Sequence, residues 1–318
     1  MMQSWSQRAL MVTGKGGVGK TSLSAALARA LAEQGHRVLV AEVGSDADEP
    51  SPLIRALGGK RPRDSGVRPV LPNLEAVRLM PYAGQQAFLR DTLRVKLLVD
   101  AALRLAAIRR FLSAAPAFNE LGVLYQLFQL MRERRPDGHP RFERVIVDTP
   151  ATGHALAIAQ LPDIVLRLIP GGPIGTVTRE GLAILRDPAQ TASIVVTLPE
   201  ALPITESIEL IEGFRQNKTP VVEVWVNRMP LNPFEGRPEA ERAALALAAT
   251  QAPPFWGAQT LQRLARAQDA LGALRAQTSL PIRVFPEKLL EDPALSAALS
   301  KDVAKSDDDR AVPPSKTN

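Results

Sequence analysis

The sequence predicts an α/β fold: a doubly wound, mostly parallel sheet with an inserted helical subdomain. Three observations carry that expectation. Short apolar runs of strand length recur along the 318 residues, with helix-periodic segments between them. A glycine-rich stretch, GKGGVGKT from Gly14 to Thr21, stands between the first such run and the first helical segment. A later apolar run, Val145-Ile146-Val147-Asp148, ends in an acid.

The elements follow in order. Ala9-Leu10-Met11-Val12-Thr13 is apolar and of strand length, and belongs to a strand expected near 8–13. From Ser22 to Gln34 apolar residues fall at helical spacing (Leu23, Ala26, Leu27, Ala30, Leu31), and Gly35 stops the helix. Further strands are expected near 38–43, 74–80, 143–148, 193–198, 220–226 and 281–285. Residues 44–73 are rich in Pro, Gly and Asp and read as a loop with a helical turn or two around Leu53 to Leu57. Residues 82–135 carry no strand signal and read as helices inserted between two strands. There Leu97, Leu98, Ala101, Leu105, Ile108 and Leu112 share one helical face, with Arg94, Arg104, Arg109 and Arg110 largely elsewhere. A second apolar helix holds Phe118, Leu121, Leu124, Tyr125, Phe128 and Met131; the two faces are expected to pack together, the alternative being a nucleotide-gated groove for an apolar partner segment. Residues 1–300 thus form a single domain without internal repeats, followed by a polar, proline-containing tail at 301–318 that should be disordered.

Composition narrows the chemistry. There is no cysteine, which excludes disulfides and thiolate metal sites. His36, His139 and His154 stand far apart and make no ligand pattern. The first residues lack the apolar core of a signal peptide, and no run of about 18 apolar residues exists, so a soluble cytoplasmic protein is expected. The net charge of +6 is spread along the chain, which reads as a solvated basic surface, with no stable DNA or membrane binding expected.

Gly14, Gly19, Lys20 and Thr21 satisfy G-x-x-x-x-G-K-[ST] in the order the motif requires, strand, loop, helix. Such a loop turns its backbone N–H groups around phosphate oxygens and adds the positive end of the following helix. The amides of Gly16, Gly17, Val18, Gly19, Lys20, Thr21 and Ser22 are therefore candidate phosphate donors, with Lys20 for the β- and γ-phosphates and Thr21 for Mg²⁺. A strand-ending acid such as Asp148 suits a role in holding Mg²⁺ through water, or it could cap the next helix.

A generic phosphate loop does not require Lys15. The spelling KGGVGKT resembles the deviant Walker A motif of the family containing ArsA, MinD, ParA and the tail-anchored-protein targeting ATPase. VDTPATGHALAIAQLP, from Val147 to Pro162, resembles the switch segment of the ArsA and targeting-ATPase branch. Thr197-Leu198-Pro199-Glu200 with Ile204-Thr205-Glu206-Ser207 is similar to that branch's I-P-E-x-x-x-x-x-E-T element, and Val224-Trp225-Val226-Asn227-Arg228 to its V-N-Q. The resemblance covers about residues 8–300. It implies a dimeric P-loop ATPase using ATP/ADP and Mg²⁺ and acting on a protein partner. The dimer would be a homodimer or a heterodimer with a related ATPase. Lys15 would be the signature lysine that reaches the partner's nucleotide; a cation supplied in trans is worth about 10³–10⁵ in phosphoryl-transfer rate. By the same resemblance Asn227 contacts adenine, Pro286 closes the base pocket, and His154 sits where the switch moves.

Three departures stand beside the matches. Gly44 occupies the position where the family carries a catalytic aspartate; Glu42 comes two residues earlier, a candidate for the metal or a strand end, and Asp46 and Asp48 follow as candidates for orienting water. No thiolate is present for arsenic(III), so arsenite activation is not expected. Only about thirty residues separate Pro162 from Ile194, where the targeting ATPase inserts its client-binding helices. The alternative reading is a non-hydrolysing nucleotide-binding subunit or scaffold that pairs with a related ATPase.

Overall fold

The computed structural model describes residues 5–44, 50–59, 66–92, 116–150, 152–168, 170–250 and 257–305. At its centre is one eight-stranded sheet in the order β3-β4-β2-β5-β1-β6-β7-β8. The strands are β1 (Ala9–Gly14), β2 (Val38–Val43), β3 (Arg68–Leu71), β4 (Leu74–Leu79), β5 (Arg144–Asp148), β6 (Thr191–Thr197), β7 (Val221–Met229) and β8 (Ile282–Pro286). All pair in parallel except β3, which runs antiparallel to β4 at one edge. The expected strands are all present. The edge strand β3 falls in the stretch read as loop: it is four residues long, contains Pro69, and none of its residues is buried, so its sequence shows no alternation.

Alternation within each strand divides the core into two layers. Leu10, Val12, Val38, Val40, Ala76 and Ile146 face α1 (Lys20–Glu33), α2 (Pro52–Ala56) and the last helix, α10 (Ala294–Ala304). Met11, Leu39, Ala41, Val77, Val145 and Val147 face the other side, toward α3 (Pro81–Thr92) and α4 (Pro116–Arg132). That second face continues over α5 (Thr152–Leu168), α6 (Gly172–Arg186), α7 (Ala201–Gln216) and α9 (Ala258–Gln277), with α8 (Pro238–Thr250) packed on α9. The helix after β1 thus covers one face and the helix after β5 the other. The carboxyl ends of these adjacent strands form a switch point, where a doubly wound sheet opens a crevice for ligands.

In the helical insert, Leu121, Leu124, Tyr125, Phe128 and Met131 of α4 are buried against Phe88 of α3 and against the sheet. Gly84 and Gly122 bring these two helices together: a Cβ on either would collide with backbone of the other helix. The apolar face from Leu97 to Leu112 lies outside the described residues. Helix α10 runs to Ala304, past the expected start of the tail at 301, because Val303 is fully buried in the α1-side core.

Candidate nucleotide-binding site

The loop from Gly14 to Lys20 leaves β1 at the switch point and enters α1 directly. Its path depends on glycine at two places. Gly14 has φ 147° and lies so close to the Val196 carbonyl of β6 that a Cβ would clash. Gly19 has φ 92° and abuts the Asn227 carboxamide. Both combine a conformation L side chains rarely adopt with a close approach, so only glycine fits. Val18, buried between them, pins the loop to the core.

At the start of α1, Thr21 Oγ1 donates to Asp148 Oδ2 at 2.7 Å, and Ser24 Oγ, one turn later, donates to Asp148 Oδ1 at 3.2 Å. Asp148 ends β5 and is buried. Burial and the nearby Glu42 carboxylate push its carboxyl up to about 6, against the opposing pull of Thr21, Lys20 and Ser24. Lys20 is also buried; its Nζ donates to the Lys15 carbonyl at 2.8 Å, and desolvation lowers its pKa while Asp148 acts in the opposite sense. From β7, Asn227 Nδ2 donates to the Val18 carbonyl at 2.8 Å and supports the loop from behind. Lys15 is half exposed, and its ammonium is paired with Glu206 of α7.

A model of the anion-transporting ATPase family matches residues 7–170, just over half of the chain and including the whole β1 loop and β5. The chain belongs to the anion-transporting ATPase (ArsA) family. ATPase BagA of Mycobacterium tuberculosis is 29% identical over 225 residues, which cover 69% of this chain and 64% of that protein. The arsenical pump-driving ATPase of Escherichia coli is 31% identical over 205 residues, 63% of this chain and 31% of that protein. ATPase ARSA1 of Chlamydomonas reinhardtii is 26% identical over 288 residues, 71% of this chain and 36% of that protein. The chain therefore spans less than two thirds of the length of these relatives.

In this ArsA-family chain the structure brings Lys15, Lys20, Thr21, Asp148 and Asn227 to one loop, with Ser22 in the first turn of α1. Pro286 ends β8 beside Met229, two residues beyond Asn227 on the neighbouring strand. Next to it is a small cleft lined by Pro199, Glu200, Arg228, Arg263 and Glu287, where Arg263 and Glu287 pair at 2.8 and 2.9 Å. Glu42 stands in register with Asp148 on the next strand. Its carboxylate accepts from Ser51 Oγ and, at 3.3 Å, from the Leu53 amide, so it anchors α2; burial raises its pKa. Asp46 and Asp48 lie outside the described residues, as does the His154 side chain.

Three contacts escape a reading of the sequence. Ser24 is legible afterwards as i+3 from Thr21, one face of one helix. Arg78 lies in register with Glu42 on β4, 3.7 Å from its carboxylate, and a Cβ at Gly44 would meet its Nε at 2.8 Å. No local pattern announces that pairing, which comes from strand order alone. The third is the Lys15–Glu206 pair, whose partners are 191 residues apart.

The donor set fits the groups the family implies. Thr21 and Asp148 offer hard oxygen atoms side by side, the ligands Mg²⁺ takes. The loop has three glycines at positive φ and a lysine, suited to a phosphate chain.

Proposed function

We propose that this chain is a Mg²⁺-dependent ATPase that works as a dimer and passes the change between its nucleotide states to a protein partner. The observation that carries the reading is the Thr21–Asp148 hydrogen bond at the N-terminus of α1, beside a glycine loop that only glycine can form. In this reading the loop amides and the helix terminus hold the β- and γ-phosphates. Lys20 swings from the Lys15 carbonyl onto phosphate oxygens. Thr21 and Asp148, whose oxygens lie side by side, are the residues that would hold the Mg²⁺. Mg²⁺ supplies neutralisation of the charge that develops on the β- and γ-oxygens. Asn227 keeps the loop in place with its nitrogen, and the cleft beside Pro286 receives the base. Lys15 serves the nucleotide of the second subunit. The helices α3 and α4, packed on the face toward which β5 sends α5, are the elements a partner would sense. The proposal does not extend to arsenite, since the chain has no thiolate.

The test compares purified protein with Lys20→Ala and Lys15→Ala. Lys20→Ala is expected to abolish tight binding of a fluorescent ATP analogue. Lys15→Ala keeps binding and loses turnover, while wild-type activity per chain rises with protein concentration. Equal loss of binding in both variants would refute the division of labour. A second reading, a nucleotide-binding subunit that does not hydrolyse, has one specific support: Gly44 is packed against the Arg78 guanidinium where the resemblance expects a carboxylate. Tight ATP binding without turnover at any concentration would select it.

A further inference from the structure

Resting on the role given to Lys15 above, we propose that Glu206 is a positioning residue. It holds Lys15 on its own chain and must release it before Lys15 can serve the second subunit's nucleotide. Lys15 belongs to the loop after β1, and Glu206 to the second turn of α7, the helix after the adjoining strand β6. Lys15 Nζ donates to Glu206 Oε1 across that gap. The lysine side chain is 43% exposed and the glutamate 26%, so the glutamate is the more covered partner. The other oxygen, Oε2, is buried and accepts no hydrogen bond among the described residues. Lys15 is therefore the donor on which this carboxylate depends. Its departure leaves a mostly covered charge without a partner, a cost that opposes release.

A second restraint acts on the same residue. The Lys15 carbonyl accepts the Lys20 ammonium at 2.8 Å. Both lysines of the loop are thus turned onto residue 15 or its neighbour: Lys20 onto the backbone, Lys15 onto Glu206. A phosphate chain that draws Lys20 away frees the backbone of residue 15 and leaves the side chain still held. Nucleotide binding and the crossing of Lys15 become two separable steps, and Glu206 sets the cost of the second.

The experiment uses the full chain with Glu206→Gln, which keeps the shape and removes the charge, beside Lys15→Ala. Its first readout needs no nucleotide. The acetylation rate of the Lys15 amine by dilute acetic anhydride is followed by peptide mass spectrometry, with the exposed Lys218 and Lys301 as internal standards. In Glu206→Gln Lys15 is expected to react about two- to fivefold faster, the span set by a partly exposed ion pair. An unchanged rate overturns the proposal. The second readout is ATP turnover against protein concentration. Glu206→Gln is expected to reach half-maximal activity at about two- to fivefold lower concentration with unchanged nucleotide affinity. Turnover that falls as it does in Lys15→Ala would mean that Glu206 holds the lysine in its working position, and overturns the proposal. Faster acetylation together with full activity in Lys15→Ala would overturn the role of Lys15 itself, a failure distinct from the first.

Discussion

Replacing Asp148 by Asn should stabilise the protein in the absence of metal while removing its response to Mg²⁺. The carboxyl group is buried at the end of β5, and its pKa is raised to about 6 from an ordinary 3.8, with burial as the main cause and Glu42 as a second. The folded state therefore prefers the protonated form. Any stabilisation from this group is fully present below the unfolded pKa near 3.8 and is lost as pH rises to about 6 and beyond. A rise of that size corresponds to about 3 kcal/mol of penalty at pH 8. Asn removes that charge but accepts through one oxygen where Asp148 accepts through two, from Thr21 and Ser24. Losing about 1 kcal/mol of hydrogen bonding leaves a net gain of about 1–2 kcal/mol. The assay is urea unfolding in EDTA at pH 8 and pH 4, for wild type and variant. The gain should appear at pH 8 and give way to a small loss at pH 4, where little of the penalty remains and the lost hydrogen bond still costs about 1 kcal/mol. With Mg²⁺ and ATP the wild type should recover stability through ligand binding, and the variant should not. A variant less stable than wild type at pH 8 in EDTA would refute the reasoning, because it would make Asp148 a net stabilising group when no metal is bound.

Two further predictions concern the scaffold. Glu223→Ala leaves Arg283, 2% exposed, without the carboxylate at 2.6 Å, and also removes the acceptor of Trp5 Nε1; breaking such a buried pair costs about 3–5 kcal/mol, read as a lowered urea midpoint. The lower end is expected, because Arg283 keeps the Val303 carbonyl at 3.0 Å. Gly84→Val should force α3 from α4, since its Cβ would meet the Gly122 backbone. The cost is at least the ~1–3 kcal/mol of an overpacked core, with limited proteolysis cutting first within 81–132 and nucleotide affinity largely retained.

Much of the fold was legible because its strands are buried on both faces. Val38 to Ala41, Val145 to Val147 and Ala192 to Val196 are runs of buried residues with few turn formers, and such runs announce themselves in sequence. The edge strand β3 does not, since exposure on a sheet edge leaves no pattern to read. The strand–loop–helix order around Gly14 to Thr21 was legible because a phosphate loop needs fixed residues at fixed spacing, and the position of Asp148 because it ends an apolar run of strand length. The contacts of Arg78 and Glu206 were not. Each joins segments that meet only through strand order, Arg78 with Glu42 across the β2–β4 pair, and Glu206 with Lys15 across adjoining β1 and β6. A single sequence carries no spacing rule for either.

That strand order also bears on the surroundings of Gly44. One register level below the strand ends, Leu10, Ile146, Val40 and Ala76 line up across β1, β5, β2 and β4, all buried and apolar. One step along, the same face reads Val12, Asp148, Glu42 and Arg78. The core on this side thus ends in a row of buried charge, with Lys20 near Asp148 at one end and Arg78 near Glu42 at the other. Two adjacent buried carboxylates repel, and each raises the cost of ionising its neighbour. Arg78 offsets that cost for Glu42, and it does so from space that a side chain at residue 44 would need. Gly44 and Arg78 are therefore one feature. The Arg78 guanidinium occupies the space beside Gly44, and its carboxylate partner Glu42, the brace of α2, stands beside Asp148 on the next strand.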